Sequence, residues 1–315
     1  MKAARVSENI ITYPRKGALA PFLQGFLLSC EAEGKSEATI TCYKDFIQRF
    51  ISTARRLNIP QDPRRITRDH VRRYMVQLRQ EGLSPSTTKD YLVALRLWFS
   101  WLMAEGIVRS NPCEGIKPPR PDRKVMRTLT PDEVKQLLDV ARHQPERKAL
   151  RDQLIILMLY DTGIRASELV GLNMEDVDLD KRVVFVRGKG RKERVLGLNG
   201  RTCVMAWRYV AVVRGEGPGP FIQARTGRRM LRTSLTQLLS KLARRAGWPP
   251  RSCSPHMLRR SFSVDYLRAG GDPFTLQILL GHERLEMSRH YAEALNAQDA
   301  LKAHGQFSPA QRLFR

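Results

Sequence analysis

Apolar residues recur every three to four positions through most of the first hundred residues, as expected for helices with one buried face. The first such stretch covers residues 18–33. Ser36, Thr67 and Ser84 stand at the starts of three more, where a side-chain oxygen can cap a helix. The pattern predicts a compact all-α domain over residues 18–106. Its aromatic residues fall on the apolar faces, so we interpret them as core rather than as platforms for stacked bases.

The periodic pattern stops over residues 107–126, where four prolines stand among basic side chains. Proline-rich, positively charged sequence is typical of an extended linker, which can follow a phosphate backbone or act as a plain spacer. We therefore predict a linker here. Residues 1–17 are expected to form an N-terminal extension ahead of the first domain.

A second domain is predicted over residues 127–297. Thr130 marks its first helix, and residues 151–160 are apolar enough for a buried helix. Two strand-like runs, residues 182–187 and 193–198, flank a turn of glycines and basic residues. That arrangement predicts a β-hairpin with a cationic tip.

Further helices are predicted at residues 231–246, 255–269 and 273–280, with a last helix carrying Tyr291. The predicted fold class is therefore mainly α with a small β-sheet, in two domains. Residues 298–315 form a tail whose apolar residues suffice to dock on another surface.

The charge of the chain indicates a nucleic-acid partner. There are 55 Lys and Arg residues against 31 Asp and Glu, a net charge of +24, and the pI is about 10.5. A pI above about 9 is typical of nucleic-acid-binding domains, although a merely soluble basic protein is the alternative. The excess lies in both halves of the chain, so we expect both domains to contact phosphate. The candidate DNA-contacting residues are Arg72, Arg73, Lys117, Arg120, Arg123, Lys124, Arg187, Arg191 and Lys192.

The cysteines and the apolar stretches indicate in which cellular compartment the protein is expected. Five cysteines are scattered without metal-ligand spacing, so we expect neither a disulfide nor a zinc site, which fits a reducing cytoplasm. No signal peptide is apparent at the N-terminus. The longest apolar run, residues 154–160, is too short to span a bilayer. A cytoplasmic protein without a membrane partner is expected.

Two motifs carry arginines suited to binding a phosphate. Arg165 follows Gly163, which can end a helix, and Glu168 lies close enough in sequence to hold its guanidinium group. His256 and Arg259 are three residues apart at a predicted helix start, so both project from one face where an anion is favoured. These residues can form a phosphate pocket that also contains a proton acceptor.

Three more residues complete the set. Lys189 at the hairpin tip is a mobile ammonium group that can reach a leaving oxygen, and His282 follows a predicted helix end where it can donate to phosphate. Tyr291, nine positions later, carries an oxygen that can form an ester with phosphorus. Each residue alone has an ordinary interpretation as a surface side chain. Their joint occurrence in this order is specific to phosphodiester chemistry.

In these motifs the chain resembles the tyrosine recombinases, also called the phage integrase family. The matching segments are residues 162–169, 188–194, 256–259 and 279–291, and residues 18–106 are similar to the family's helical core-binding domain. The resemblance implies a two-domain DNA breaking and rejoining architecture that closes around duplex DNA like a C. With about 17 residues before the first helix, there is no room for an arm-binding domain, and we expect the two-domain Xer-like or mobile-element integrase type.

The resemblance also implies roles for the residues that act on the phosphate. Tyr291 would attack the scissile phosphate, form a 3′-phosphotyrosine and free a 5′-hydroxyl. Arg165 and Arg259 would hold the non-bridging oxygens, and Lys189 would protonate the leaving 5′-oxygen. No metal or other cofactor is expected, because the ester stores the bond energy for religation and cationic side chains supply the charge.

The remaining roles concern protons and orientation. His256 would assist proton transfer to or from the tyrosine, His282 would hydrogen-bond to the phosphate, and Glu168 would orient Arg165. The chain departs from the family at Arg260, where many relatives have histidine; we expect the chemistry to be unaffected.

The partners implied are double-stranded DNA and further copies of this chain, assembled as a tetramer on paired sites with the tail 298–315 docked on a neighbour. A directionality factor or host accessory protein is a further candidate. Two alternatives stay open: a type IB topoisomerase, and an architectural DNA-binding protein or repressor that has lost catalysis. A metal nuclease is disfavoured because no carboxylate cluster accompanies the histidines.

Overall fold

The chain divides into two compact units, Met1–Lys124 and Val125–Arg315. The computed structural model describes residues 18–118, 127–187, 193–281 and 299. Among the helices in this described part, none combines the length and the apolar character that crossing a bilayer requires.

Four helices and a short 3₁₀ turn build the N-terminal unit. They are α1 (Leu19–Ala32), α2 (Glu37–Arg56), α3 (Arg68–Gln80) and α4 (Pro85–Ala104), with the turn at Pro63–Arg65. Ser36 and Ser84 cap α2 and α4 by accepting from the backbone amides of Thr39 (3.3 Å) and Thr87 (3.1 Å). These caps satisfy amides that have no partner inside the helix, and the predicted starts of both helices are confirmed.

Aromatic side chains form the centre of the N-terminal unit. Phe22, Phe50, Tyr74, Trp98 and Phe99 are almost completely buried. The rings of Phe50 and Tyr74 meet edge to face with centroids 5.0 Å apart, an arrangement that adds to the stability from burial alone. The interpretation of these residues as core is confirmed.

Residues 107–118 pack against the N-terminal unit instead of leaving it as an extended linker. Cys113 is fully buried in the core of the unit. Asn111 donates from Nδ2 to the carbonyl of Arg96 (3.0 Å), and the guanidinium of Arg96 donates to the carbonyl of Ile116 (2.9 Å). The prediction of an extended linker is therefore wrong for these residues, and residues 119–126 lie outside the described part.

Seven helices are described in the C-terminal unit. They are α5 (Pro131–Arg142), α6 (Glu146–Thr162), α7 (Ala166–Gly171), α8 (Gly200–Tyr209), α9 (Arg232–Arg245), α10 (Pro255–Arg268) and α11 (Pro273–Leu280). Most of α6 is buried among the others, as its apolar sequence predicts. The short α7 and α8, which continues into a π-helical turn at Val210–Arg214, were not predicted from the sequence.

A small antiparallel sheet lies beside these helices. Its strands are β1 (Val177–Asp178), β2 (Val183–Arg187) and β3 (Glu193–Gly197), in the order β1-β2-β3. Val184 pairs with Leu196 and Val186 with Arg194. Because side chains alternate between the faces of a strand, Arg194 lies on the same face as the buried Leu196. The predicted hairpin is confirmed, and its turn at residues 188–192 lies outside the described part.

Gly163 ends α6 at a crowded position. Its φ of +62° lies in the left-handed region that favours glycine. A Cβ added here would overlap the ring of Phe262 on α10 and would lie 2.9 Å from Leu280 Cδ2 on α11. The absence of a side chain therefore lets three helices approach at one point.

Replacing Gly163 by alanine is expected to lower the free energy of unfolding by about 2–4 kcal/mol, because the new methyl group adds overlap to an unfavourable backbone conformation. Chemical denaturation followed by circular dichroism measures the change. Gly171→Ala is the matched control, since a Cβ there would meet nothing within 4 Å. Equal stabilities for the two variants would contradict the described packing at Gly163.

Candidate active site

Three arginines donate to consecutive main-chain carbonyl oxygens where α11 ends. The pairs are Arg194 Nε with Leu279 (2.8 Å), Arg259 Nη2 with Leu280 (2.8 Å) and Arg165 Nη2 with Gly281 (3.0 Å). The last carbonyls of a helix have no partner within it and carry the negative end of its dipole. We call these residues the three-arginine cluster. It fixes the main chain immediately before position 282.

Arg259 links the ends of two helices from a buried position on α10. Its residue surface is 4% exposed. Besides Leu280, its guanidinium donates from Nη1 to the carbonyl of Gly163 at 2.5 Å. A buried charge is tolerated only when its donors are paired, and these carbonyls supply the partners. Arg259 is thereby held rigidly between α6 and α11.

Arg165 is the most accessible member of the three-arginine cluster, with 38% of its side chain exposed. It occupies the cap position before α7, in an extended backbone conformation. Its backbone amide donates to Glu168 Oε2 and its Nη1 donates to Glu168 Oε1, both at 2.9 Å. The predicted contact between Glu168 and Arg165 is present in the structure. It restrains the orientation of a guanidinium group that stays partly exposed to solvent.

Glu168 holds a second arginine that the sequence did not single out. Arg194 donates from Nη1 to Oε1 (3.0 Å) and from Nη2 to Oε2 (2.7 Å) of this carboxylate, whose side chain is 8% exposed. Burial alone would raise the pKa of Glu168, but the hydrogen bonds and charge from Arg194 and Arg165 outweigh it and lower the pKa to about 2. The carboxylate is therefore ionised throughout the physiological range.

His256 lies at the start of α10, one turn before Arg259. Ser254 caps this helix by accepting from the amide of Met257 at 3.2 Å. Burial and then the positive charges of Arg260 and Arg259 lower the pKa of His256 below its ordinary value. The imidazole is consequently neutral near pH 7, a state in which it can accept a proton.

The structure describes four of the seven residues assigned from the sequence to the site. Arg165, Glu168 and Arg259 meet around the end of α11, and His256 shares α10 with Arg259. The other three, Lys189, His282 and Tyr291, lie outside the described residues.

The candidate DNA contacts divide in the same way. Arg72, Arg73 and Lys117 are exposed in the N-terminal unit, although Arg72 also pairs with Asp69 at 2.8 Å. Arg187, at the end of β2, has 71% of its side chain exposed. The candidates outside the described residues are Arg120, Arg123, Lys124, Arg191 and Lys192.

Two family profiles match the chain. The profile described as "Phage integrase family" matches residues 127–298, and the profile "Phage integrase, N-terminal SAM-like domain" matches residues 22–107. The chain belongs to the phage integrase family. Similar curated proteins include the "Tyrosine recombinase XerC" of Roseiflexus castenholzii, 33% identical over 283 residues covering 87% of this chain and 88% of the relative. The protein of the same name from Neisseria gonorrhoeae is 30% identical, covering 87% and 91%.

Solved structures agree with this membership at the level of the fold. A lambda integrase dimer bound to a core site superposes with a TM-score of 0.71 at 19% identity, covering 88% of this chain and 96% of that one. The Tn1549 transposon integrase with transposon right end DNA reaches 0.73 at 18% identity, covering 91% and 99%. The predicted mainly α, two-domain recombinase fold is confirmed. The family profiles and the curated relatives together show a tyrosine recombinase of the Xer-like type.

Glu168→Gln is expected to lower stability by an amount that depends on pH. Because the pKa of Glu168 is lowered on folding, its contribution is present above the ordinary value of about 4.3 and is lost as the pH falls towards about 2. The difference in unfolding free energy between wild type and variant should stay constant from about pH 7 to pH 5.5 and shrink below about pH 4.5. A difference that grows on acidification would contradict the assigned ionisation.

Proposed function

We propose that this chain is a site-specific DNA recombinase that cleaves and rejoins strands through a 3′-phosphotyrosine intermediate. The observation that carries the proposal is the three-arginine cluster in a chain whose two domains both match the phage integrase family. Arg165 and Arg259 are fixed by carbonyl and carboxylate partners before any DNA binds. Preorganised cations of this kind stabilise charge that develops in a transition state without a reorganisation cost.

In the cleavage step, the phenolic oxygen of Tyr291 attacks the scissile phosphorus and the bond to the 5′-oxygen breaks. His256, neutral near pH 7, accepts the phenolic proton, and Lys189 donates a proton to the departing 5′-oxygen. Arg165 and Arg259 bind the two non-bridging oxygens, whose negative charge grows in the transition state. The products are a 3′-phosphotyrosyl strand and a free 5′-hydroxyl.

Rejoining reverses these transfers with a 5′-hydroxyl from another strand. The phosphotyrosyl ester retains the energy of the original diester, so the cycle needs neither a nucleotide nor a net redox change. His282 donates a hydrogen bond to the phosphate, and Glu168 keeps Arg165 oriented in both directions of the reaction. A hydroxyl supplied by a different DNA site turns cleavage and religation into recombination.

Duplex DNA is the substrate and the main partner. We assign core binding to residues 18–106 and catalysis to residues 127–297. Strand exchange between two sites requires four active sites, so the working form is a tetramer in which the tail 298–315 docks on a neighbouring copy. The net charge of +24 supports an extended phosphate footprint, and a directionality factor or host protein can select the outcome.

Tyr291→Phe is expected to abolish covalent attachment to DNA while binding persists, because only the attacking oxygen is removed. The substrate is a duplex selected by the protein from a random-sequence pool, with a nick that traps the cleaved strand. Denaturing electrophoresis measures the adduct, and Tyr266→Phe is the matched control that removes a hydroxyl elsewhere in the same unit. Persistent attachment of the Tyr291 variant would refute the assignment.

The same selected site separates recombination from its alternatives. Two copies on one plasmid should be exchanged by the wild type, whereas a type IB topoisomerase would relax plasmids that lack the site equally well. An architectural protein or repressor would bind the site without an adduct. Recombination that depends on two sites supports the proposal, and relaxation independent of the site contradicts it.

The pH dependence of adduct formation should report the neutral state of His256. Because the pKa of this residue is lowered, the acid limb of the rate is expected to be centred below the ordinary histidine value of about 6.5. His256→Gln should slow the step by about 100-fold and remove this acid limb. An acid limb centred above about pH 6.5, or one that survives the substitution, would contradict the role of His256 as proton acceptor.

A further inference from the structure

Arg194 is an arginine on the inward face of a hairpin. It pairs across the sheet with the buried Val186, and only 11% of its side chain is exposed. Burying a guanidinium group in this way is costly unless its donors are satisfied. A surface role in binding DNA therefore does not explain why an arginine occupies this buried position.

Its donors join two elements that are distant in sequence. Nη1 and Nη2 contact both oxygens of Glu168 on α7, at 3.0 and 2.7 Å, and Nε contacts the carbonyl of Leu279 at the end of α11, at 2.8 Å. Two parallel bonds to one carboxylate use the planar fork of arginine, which lysine lacks. The side chain also packs against Gly281, where an added Cβ would lie 3.0 Å from Nη1.

Arg194 donates to the carboxylate of Glu168, which also orients Arg165. Each oxygen of Glu168 accepts one bond from Arg194 and one from Arg165. Loss of Arg194 removes half of these bonds and lets the carboxylate turn, so that Arg165 loses its fixed direction. It also removes one of the three donors that hold the end of α11, directly before His282.

We propose that Arg194 is a positioning residue for DNA cleavage: through Glu168 it sets the direction of Arg165, and through Leu279 it fixes the end of α11. The described donors of Arg194 are engaged by protein groups, so it acts on cleavage through Glu168 and Leu279. Because β3 directly follows the turn that carries Lys189, the same side chain ties the hairpin to the phosphate-binding arginines. The inference rests on the proposed function, since cleavage is the step it governs.

The test compares Arg194→Met and Arg194→Lys with wild type on the selected nicked duplex. The affinity for DNA should stay within about threefold of wild type, while the rate of adduct formation should fall at least about tenfold in the methionine variant. Lysine keeps the charge but cannot form the fork, so it should restore the rate only in part. Arg214→Met is the matched control, because Arg214 also donates to backbone carbonyls, including those of Gly215 (2.8 Å) and Gly219 (2.9 Å). Among the described residues it shares no partner with Glu168.

A double-mutant cycle with Glu168→Gln distinguishes positioning from general stabilisation. If Arg194 acts through Glu168, the double variant should cleave no more than about twofold slower than the slower single variant. Losses that multiply, a loss confined to DNA affinity, or cleavage by Arg194→Met within about twofold of wild type would each overturn the inference. Should the methionine variant fail to fold, wild-type cleavage by Arg194→Lys would overturn it equally.

The proposed function is judged separately in the same experiment. Adducts formed by wild type and by Arg214→Met establish cleavage whatever the Arg194 variants do. If wild type forms no adduct, the proposed function fails and this inference fails with it.

Discussion

The carbonyl oxygens at the end of α11 need hydrogen-bond donors, and the three-arginine cluster supplies them. This requirement organises the C-terminal unit, because each arginine comes from a different element: the cap of α7, β3 and α10. Gly163 and Gly281 both end their helices in the left-handed conformation, with φ of +62° and +61°. Two helix ends thereby turn acceptors towards Arg259, which bonds to both.

The same contacts explain how a strongly basic chain tolerates buried positive charge. Arginines outside the site also satisfy backbone carbonyls: Arg147 donates to Val212 and Val213, and Arg229 to Val170 and Gly171. These groups hold loops and helix ends, so only part of the positive charge serves DNA. In the site the two uses coincide, since Arg165 and Arg259 are anchored by the protein and are proposed to bind the phosphate.

Local signals made much of the fold predictable. Ser36 and Ser84 predict the starts of helices because capping depends on neighbouring residues alone. The contact between Glu168 and Arg165 is predictable because the two residues are only three positions apart. The motifs that led to the family were predictable for the same reason, since each is short and contiguous.

Features that depend on tertiary contacts could not be predicted from the sequence. In the sequence, Arg194 is one of several basic residues in a cationic hairpin. Only the strand register shows that its side chain lies on the inward face. The prolines of residues 107–118 predict a linker, whereas Asn111 and Cys113 anchor this segment through tertiary contacts that the sequence does not show. Helix α8 has a weak apolar pattern in the sequence because its buried face is made largely of small and polar residues, among them Thr202 and Ala206.

The most direct measurement is a crystal structure of the protein on its selected DNA site with the scissile phosphate in place. We expect guanidinium nitrogens of Arg165 and Arg259 about 2.7–2.9 Å from the non-bridging oxygens, with the contacts to Gly163, Leu280 and Gly281 retained. A phosphate bound away from the end of α11, or these two side chains turned from it, would contradict the central claim.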